Sequence, residues 1–241
     1  MINKKQVMKH CGMVILFSSI SFLSFAQVNP LVVTPSVGNT EAVKKADPKA
    51  GFKNLFENTA ANTSTKNISL KGISIEHLNP QAISFVQDYM ERHADHLKEL
   101  QTWGKPYFDM MDDVLTQAEI PKQLKYLAVI ESNLRASAVS WAGAVGPWQF
   151  MPGTATQLGL RVGRGVDERR DYLKSTRAAG KYLNYLYEIY EDWLLVVAAY
   201  NCGPGRVNSA IAKAGSSDFW KLQYYLPTES RNHVKKFIAT H

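Results

Sequence analysis

Ten residues, DWLLVVAAYN at 192–201, constrain the architecture of this chain more than any other stretch. They are almost wholly apolar, and a helix that is apolar all round has no face to give to water. It has to lie at the centre, with other helices packed around it. The flanking sequence supplies them. NPQAISFVQDYMERHADHL opens with Asn79 as an N-cap and Pro80 at the first helical position. A second helix is expected over about 105–117, and PKQLKYLAVIES forms a third from Pro121. TATQLG reads as a short helix closed by Gly159, and DYLKSTRAAGKYLNYLYEIY as a long amphipathic one. PGRVNSAIAKAG runs helically from Pro204 to Gly215, and ESRNHVKKFIATH is the last helix. Residues 133–152 hold four glycines and prolines among small residues, so they read as loop with at most short strands. The expectation is a mainly α domain over residues 79–241.

The N-terminal part is written differently. MINKKQVMKHCGMVILFSSISFLSFAQ places Lys4, Lys5 and Lys9 ahead of an apolar run, followed by Ser24-Phe25-Ala26. This is the pattern of a secretory signal peptide over 1–26, implying export and no membrane span once it is removed. Residues 27–78 are rich in Asn, Thr, Ser, Ala, Pro and Lys, and every Trp and Tyr lies at or beyond Tyr89. That segment reads as a flexible arm. The whole chain has 28 basic and 21 acidic side chains, and the leader removes three lysines and no acids, which leaves +4. With no dense Lys/Arg block, nucleic acid is not an expected partner.

Cys202 is the only cysteine after the leader, so an exported form has no internal disulfide and depends on packing. His93 and His96, beside Asp95, have weak metal spacing on a polar face and read as solvated surface. No metal or organic cofactor is expected, and the domain is expected to be a monomer.

The candidate chemistry begins at YLAVIESN, residues 126–133. Leu124, Leu127 and Ala128 mark one helix face, and Glu131 falls on the same face at i+7. Carboxylates are costly to desolvate, so such a residue is either paired or keeps its proton. Two readings stand side by side: a core-edge salt bridge to Arg135 at i+4, or an acid held against an apolar wall for use in catalysis.

Two motifs bear on that choice, ESNLRASAVSWAGAVGPWQFMPGTATQLGL at 131–160 and AAYNCGPGRV at 198–207. In order they give Glu131-Ser132, Ser140 to Gly146, Gln149 to Ala155 and Ala199 to Gly203. This resembles the lytic transglycosylase family, whose pattern runs Glu-Ser, Ser-x-x-Gly-Ala-x-Gly, Gln-x-Met-Pro-x-Thr-Ala and Ala-Tyr-Asn-x-Gly. The Trp-Gln-Phe-Met wording and LPTESRNHV look most like the membrane-bound lytic transglycosylase D branch. The resemblance covers roughly residues 80–241. It implies a lysozyme-like domain of the SLT type that acts on peptidoglycan glycan strands. Such enzymes cut the MurNAc-β-1,4-GlcNAc bond without water and leave a 1,6-anhydro sugar.

The resemblance implies Glu131 as the single general acid/base, which requires a pKa of roughly 6–7 so that the proton is retained. It further implies substrate contacts from Ser140, Gln149, Met151, Tyr200 and Asn201, with Tyr200 hydrogen-bonding Glu131 or the sugar. Gly143, Gly146 and Gly203 would serve the backbone through positive φ or close approach. Trp141 and Trp148 either stack on sugar rings or fill the core.

A hydrolase of the same shape would want a second carboxylate about 5–9 Å across the site. Residues 132–166 contain no Asp or Glu, and Asp167 and Asp171 read as helix caps paired with arginine. A non-catalytic peptidoglycan-binding scaffold is the third reading, which an altered Glu131 or a broken AYN would have signalled. Three departures from the branch stand out. His233 and Lys235 occupy a stretch where the branch carries YVPK, Tyr172 stands where a proline is usual after RRD, and the last helix is short. The imidazole of His233 either loses or replaces a contact lining the site.

Overall fold

The computed structural model describes residues 78–241, so the leader and the arm expected up to residue 77 lie outside the described residues. Helix α1, Pro80–Trp103, starts where the cap chemistry places it, with Asn79 Oδ1 accepting from the Gln81 N–H at 3.0 Å. Helix α2, Lys105–Gln117, buries Phe108, Met111, Val114 and Leu115 on one face. The helix expected from Pro121 is divided. A 3₁₀ turn over Lys122–Lys125 precedes helix α3, Tyr126–Ser132. Such tight turns are common where the first amides of a helix lack partners. Lys125 ties this turn back to α2 through Asp112 at 2.8 Å.

Helix α4, Pro152–Gln157, is followed by a hairpin of β1, Val162–Gly163, and β2, Val166–Asp167, paired Val162 to Asp167 and Gly163 to Val166. The long helix α5, Tyr172–Tyr190, is capped by Asp171, whose side chain accepts from the Lys174 N–H at 2.9 Å. Helix α6, Trp193–Cys202, is the apolar stretch of the sequence, and residues 193–199 are all buried. Helices α7, Pro204–Ala214, α8, Phe219–Leu222, and α9, Thr228–Thr240, complete the α-helices among the described residues. The sequence did not announce α8, because four residues are too few to display a helical period.

The central helix α6 packs against α5, α7 and α9, while α9 also meets α1 and α3, and α2 lies on α5. Leu195, Val196, Val197, Ala198 and Ala199 are fully buried. Each large aliphatic side chain so buried stabilises the fold by about 1.5–3 kcal/mol. Trp148 is also fully buried, with its indole N–H donating to Thr176 Oγ1 at 3.0 Å, whereas Trp141 is 70% exposed. Cys202 is a buried thiol, and burial raises its pKa. Among the described residues no helix is long and apolar enough to cross a membrane. The arrangement sets the C-terminal end of α3 against α9, and this fixes the surroundings of Glu131.

Candidate active site

Glu131 sits in the last turn of α3, below the fully buried Leu124, Leu127 and Ala128. Its side chain is 17% exposed, and its Oε1 stands 3.4 Å from Nε2 of His233, which α9 contributes. Among the described residues it makes no salt bridge with the exposed Arg135, so the i+4 pairing weighed from spacing does not form. Burial pushes the Glu131 carboxyl up to about 8; the Glu229 carboxylate adds to the rise and Lys236 opposes it. That exceeds the value the chemistry required, because α9 brings a like charge as well as an apolar wall. Burial, with Lys236 second, holds His233 down at about 3. Between those values the acid keeps its proton and the imidazole stays neutral, so the 3.4 Å contact is not an ion pair.

The turn leaving α3 is wound tightly. Asn133 and Leu134 both have left-handed backbones, with φ of 52° and 60°. The Leu134 N–H closes onto Ala128 O, six residues back, at 3.0 Å and the Asn133 N–H onto Val129 O at 2.7 Å, which satisfies two carbonyls at the helix end. Leu134 itself is fully buried, which anchors the turn. Tyr172, the departure after RRD, donates its hydroxyl to Leu134 O at 2.8 Å and packs on Tyr107 with ring centroids 4.1 Å apart. Ser132 Oγ lies 2.9 Å from Pro147 O and accepts from the Arg135 N–H at 3.1 Å, joining α3 to the following loop.

That loop carries isolated antiparallel bridges Val139 to Val145 and Val145 to Phe150, in keeping with short strands at most. Arg169 holds it. The buried guanidinium takes Asp167 in a fork at 2.8 Å through Nε and Nη2, and its Nη1 donates to Gly143 O at 2.9 Å and Phe150 O at 3.0 Å. Gly146, at φ 84°, faces the same segment, and a Cβ there would lie 1.9 Å from Arg169 O. Gly143 and Gly203 also have positive φ, 89° and 82°, but a Cβ at either would meet nothing within 4 Å.

The remaining candidate residues occupy different roles in this frame. Ser140 Oγ accepts from the Ala144 N–H at 2.9 Å, so its oxygen builds the 140–144 turn. Gln149 has φ 50°, and its amide nitrogen donates to Gly146 O at 2.8 Å. Met151, half-buried, stands at the N-cap of α4. Tyr200, near the end of α6, donates its hydroxyl to Trp148 O at 2.7 Å rather than to Glu131. Burial, then the neighbouring Glu131, keeps its phenol well above the ordinary range. Asn201 follows it, half-buried in the last turn of α6.

Arg169, Glu229 and Lys236 were not singled out from sequence as parts of this site. Arg169 carried a signal in its neighbouring aspartates, and Asp167 does pair with it. The two carbonyls that Arg169 reaches carry no pattern at all.

Residues 114–223 match the family described as Transglycosylase SLT domain. The chain is 37% identical over 158 residues to the membrane-bound lytic murein transglycosylase D of Escherichia coli strain K12, covering 64% of this chain and 34% of that protein. It is 30% identical over 153 residues to the soluble lytic murein transglycosylase of the same strain, covering 60% of this chain and 23% of that one. The chain thus spans about a third of the length of the first of these relatives, 34%. Among solved structures, the 70 kDa soluble lytic transglycosylase from Escherichia coli matches 70% of this chain and 30% of its own with a TM-score of 0.53 and 25% identity. Glu131 and the motif residues up to Gly203 fall inside the matched segment, whereas Glu229, His233 and Lys236 lie beyond it. The helical architecture, the ordered motifs and these likenesses agree that the chain carries a transglycosylase SLT domain, with Glu131 within it.

Proposed function

We propose that this chain is a peptidoglycan lytic transglycosylase in which Glu131 is the single general acid/base. The observation that carries the reading is a carboxyl held protonated up to about 8 at a position still 17% exposed. It is buried enough to keep its proton and open enough to meet a sugar oxygen. Glu131 gives that proton to the glycosidic oxygen of a MurNAc-β-1,4-GlcNAc bond. The C1–O bond breaks with its electron pair leaving on the GlcNAc oxygen, and an oxocarbenium-like muramyl ring remains. The muramyl 6-hydroxyl then attacks C1, and its proton passes to the Glu131 carboxylate. A 1,6-anhydro sugar forms, no water is consumed, and the acid is restored.

The two carboxylates that follow the 132–166 loop are engaged elsewhere, which leaves Glu229, whose charge reaches Glu131, as the acid a hydrolase would have to use. Asp167 is engaged by Arg169, and Glu168 is held down at about 2 by Arg161 and Lys174. Neither is free to act as a base for water while those partners hold it. Gln149, Met151 and Asn201 would bind the N-acetyl sugars, with Gln149 using its amide oxygen because its nitrogen is committed to Gly146. Tyr200 would act as an acceptor, since its own proton is committed to Trp148. Ser140 would contribute its hydroxyl proton while its oxygen holds the turn. An extracytoplasmic site of action follows from the leader-like residues 1–26 and from relatives whose names specify murein.

The test is mass analysis of muropeptides released from purified sacculi, beside a Glu131→Gln control. Products ending in 1,6-anhydro-muramyl units and absent with the variant are the expected result. Reducing-end products one water heavier would make the enzyme a hydrolase, and no release by either protein would remove the enzymatic reading.

A further inference from the structure

His233 has no part in those chemical steps, yet α9 brings its imidazole nitrogen to 3.4 Å from the acid. Its side chain is 8% exposed, and its Nε2 is buried with no hydrogen bond of good geometry. A buried ring nitrogen without a partner is costly to a fold, so a fold that retains one needs a reason. The atom it approaches is Glu131 Oε1, at 3.4 Å. That is longer than an aligned hydrogen bond, and contacts of this kind in free enzymes tighten when substrate binds and charge develops.

Resting on the transglycosylase reading, we propose that His233 is the positioning residue of Glu131: its neutral imidazole donates the Nε2–H to Oε1, which directs the acid's proton to Oε2 and stabilises the carboxylate as it forms. Charge and timing decide its value. In the resting state both groups are neutral, and an N–H to a carbonyl oxygen is a modest interaction. As Glu131 passes its proton to the glycosidic oxygen, Oε1 becomes anionic and the same N–H becomes charge-assisted, roughly twice as strong. The gain appears only on the way to the transition state, so it accelerates the chemical step instead of tightening ground-state binding. A protonated imidazole could not do this, because a cation at 3.4 Å would strip the acid of its proton before substrate arrived. The apolar packing of α9 and the ammonium of Lys236 keep the ring neutral. The other charged or titratable groups facing Glu131 are Glu229 and Lys236 from α9 and Tyr200 from α6, and Tyr200 has its proton on Trp148 O.

Two measurements test this. In the free wild-type protein, ¹⁵N spectra of the histidine rings should show the proton on Nε2 of His233 between about pH 5 and 7, with that signal moving as Glu131 ionises near 8 and not moving in Glu131→Gln. A bare Nε2, or a signal indifferent to Glu131, overturns the proposal. This readout needs no turnover, so it stands even if the assay for anhydro products fails and takes the transglycosylase reading with it. In the enzyme assay, His233→Leu should lower kcat about 10–100-fold with KM nearly unchanged, and should move the alkaline limb of the pH profile upward because the carboxylate has lost its donor. His233→Gln keeps an N–H and should recover most of the rate and the original limb. An unchanged limb in the Leu variant, or a loss confined to KM, would assign His233 to packing or substrate contact and overturn the role.

Discussion

Oε1 of Glu131 and Nε2 of His233 stand 3.4 Å apart, an acid from α3 against a base from α9. Near neutral pH neither carries charge, since burial raises one to about 8 and lowers the other to about 3. The apolar face that made Glu131 conspicuous in the sequence is therefore half of its environment. The other half arrives from the C-terminal helix.

This pair gives the stability a definite pH profile. Glu131 is raised from 4.5 to about 8, so its contribution is complete below 4.5 and is lost as pH rises toward 8. His233 is lowered from 6.5 to about 3, so its contribution is complete above 6.5 and is lost as pH falls toward 3. In the window from 4.5 to 6.5 the two slopes oppose each other, and stability should be flattest there. Glu131→Gln should abolish the alkaline decline and be more stable than wild type at pH 9 by a few kcal/mol, on the order of 1.4 kcal/mol for each pH unit that separates the folded and unfolded pKa. Urea denaturation of both proteins at pH 5 and 9 reads this directly.

Arg169 is the second point of leverage. Replacing it with Met should destabilise the domain by about 3–5 kcal/mol, because Asp167 loses its fork and the carbonyls of Gly143 and Phe150 lose their donor together. Arg169→Lys should recover only part of this, since one ammonium cannot serve both the fork and the carbonyls. Equilibrium unfolding of the two variants distinguishes the cases.

The glycines differ in what they accommodate. Gly203→Ala meets no atom within 4 Å and should cost about 1–3 kcal/mol through its backbone at φ 82° alone. Gly146→Ala has the same backbone cost and adds a clash with Arg169 O at 1.9 Å. It should lose more stability than Gly203→Ala and reduce activity too, because relief of the clash moves the loop that carries Gln149. Thermal melts beside activity assays separate the two.

Tyr172→Phe removes the donor to Leu134 O while leaving the tilted ring contact with Tyr107 in place. The expected loss is about 1 kcal/mol. Tyr200→Phe removes the donor to Trp148 O deeper in the fold and should cost more, about 1–3 kcal/mol, with a fall in activity as the loop before Gln149 loosens. Melts on both phenylalanine variants check the order.

What could be read beforehand follows the range of the interactions. The starts of α1 and α5 were legible because Asn79 and Asp171 cap within three residues. The burial of α6 was legible because its composition leaves no alternative. Glu131 stood out because a carboxylate on an apolar stripe breaks the local pattern. Arg169 was only half legible: its aspartate lies two residues away, but its carbonyl partners lie 26 and 19 residues back along the chain. The proton of Tyr200 could not be assigned from sequence, since its acceptor is a backbone carbonyl that any residue would offer. His233 was visible as an unusual residue, and only the packing of α9 on α3 brings it to Glu131.

Everything proposed for the chemistry depends on Glu131 keeping its proton in neutral solution. Infrared difference titration of the carboxyl band, wild type against Glu131→Gln, reads that proton itself. A single protonated carboxyl should disappear with a midpoint near 8 and be absent from the variant. A midpoint near 4.5, the ordinary value for a solvated glutamate, would contradict it.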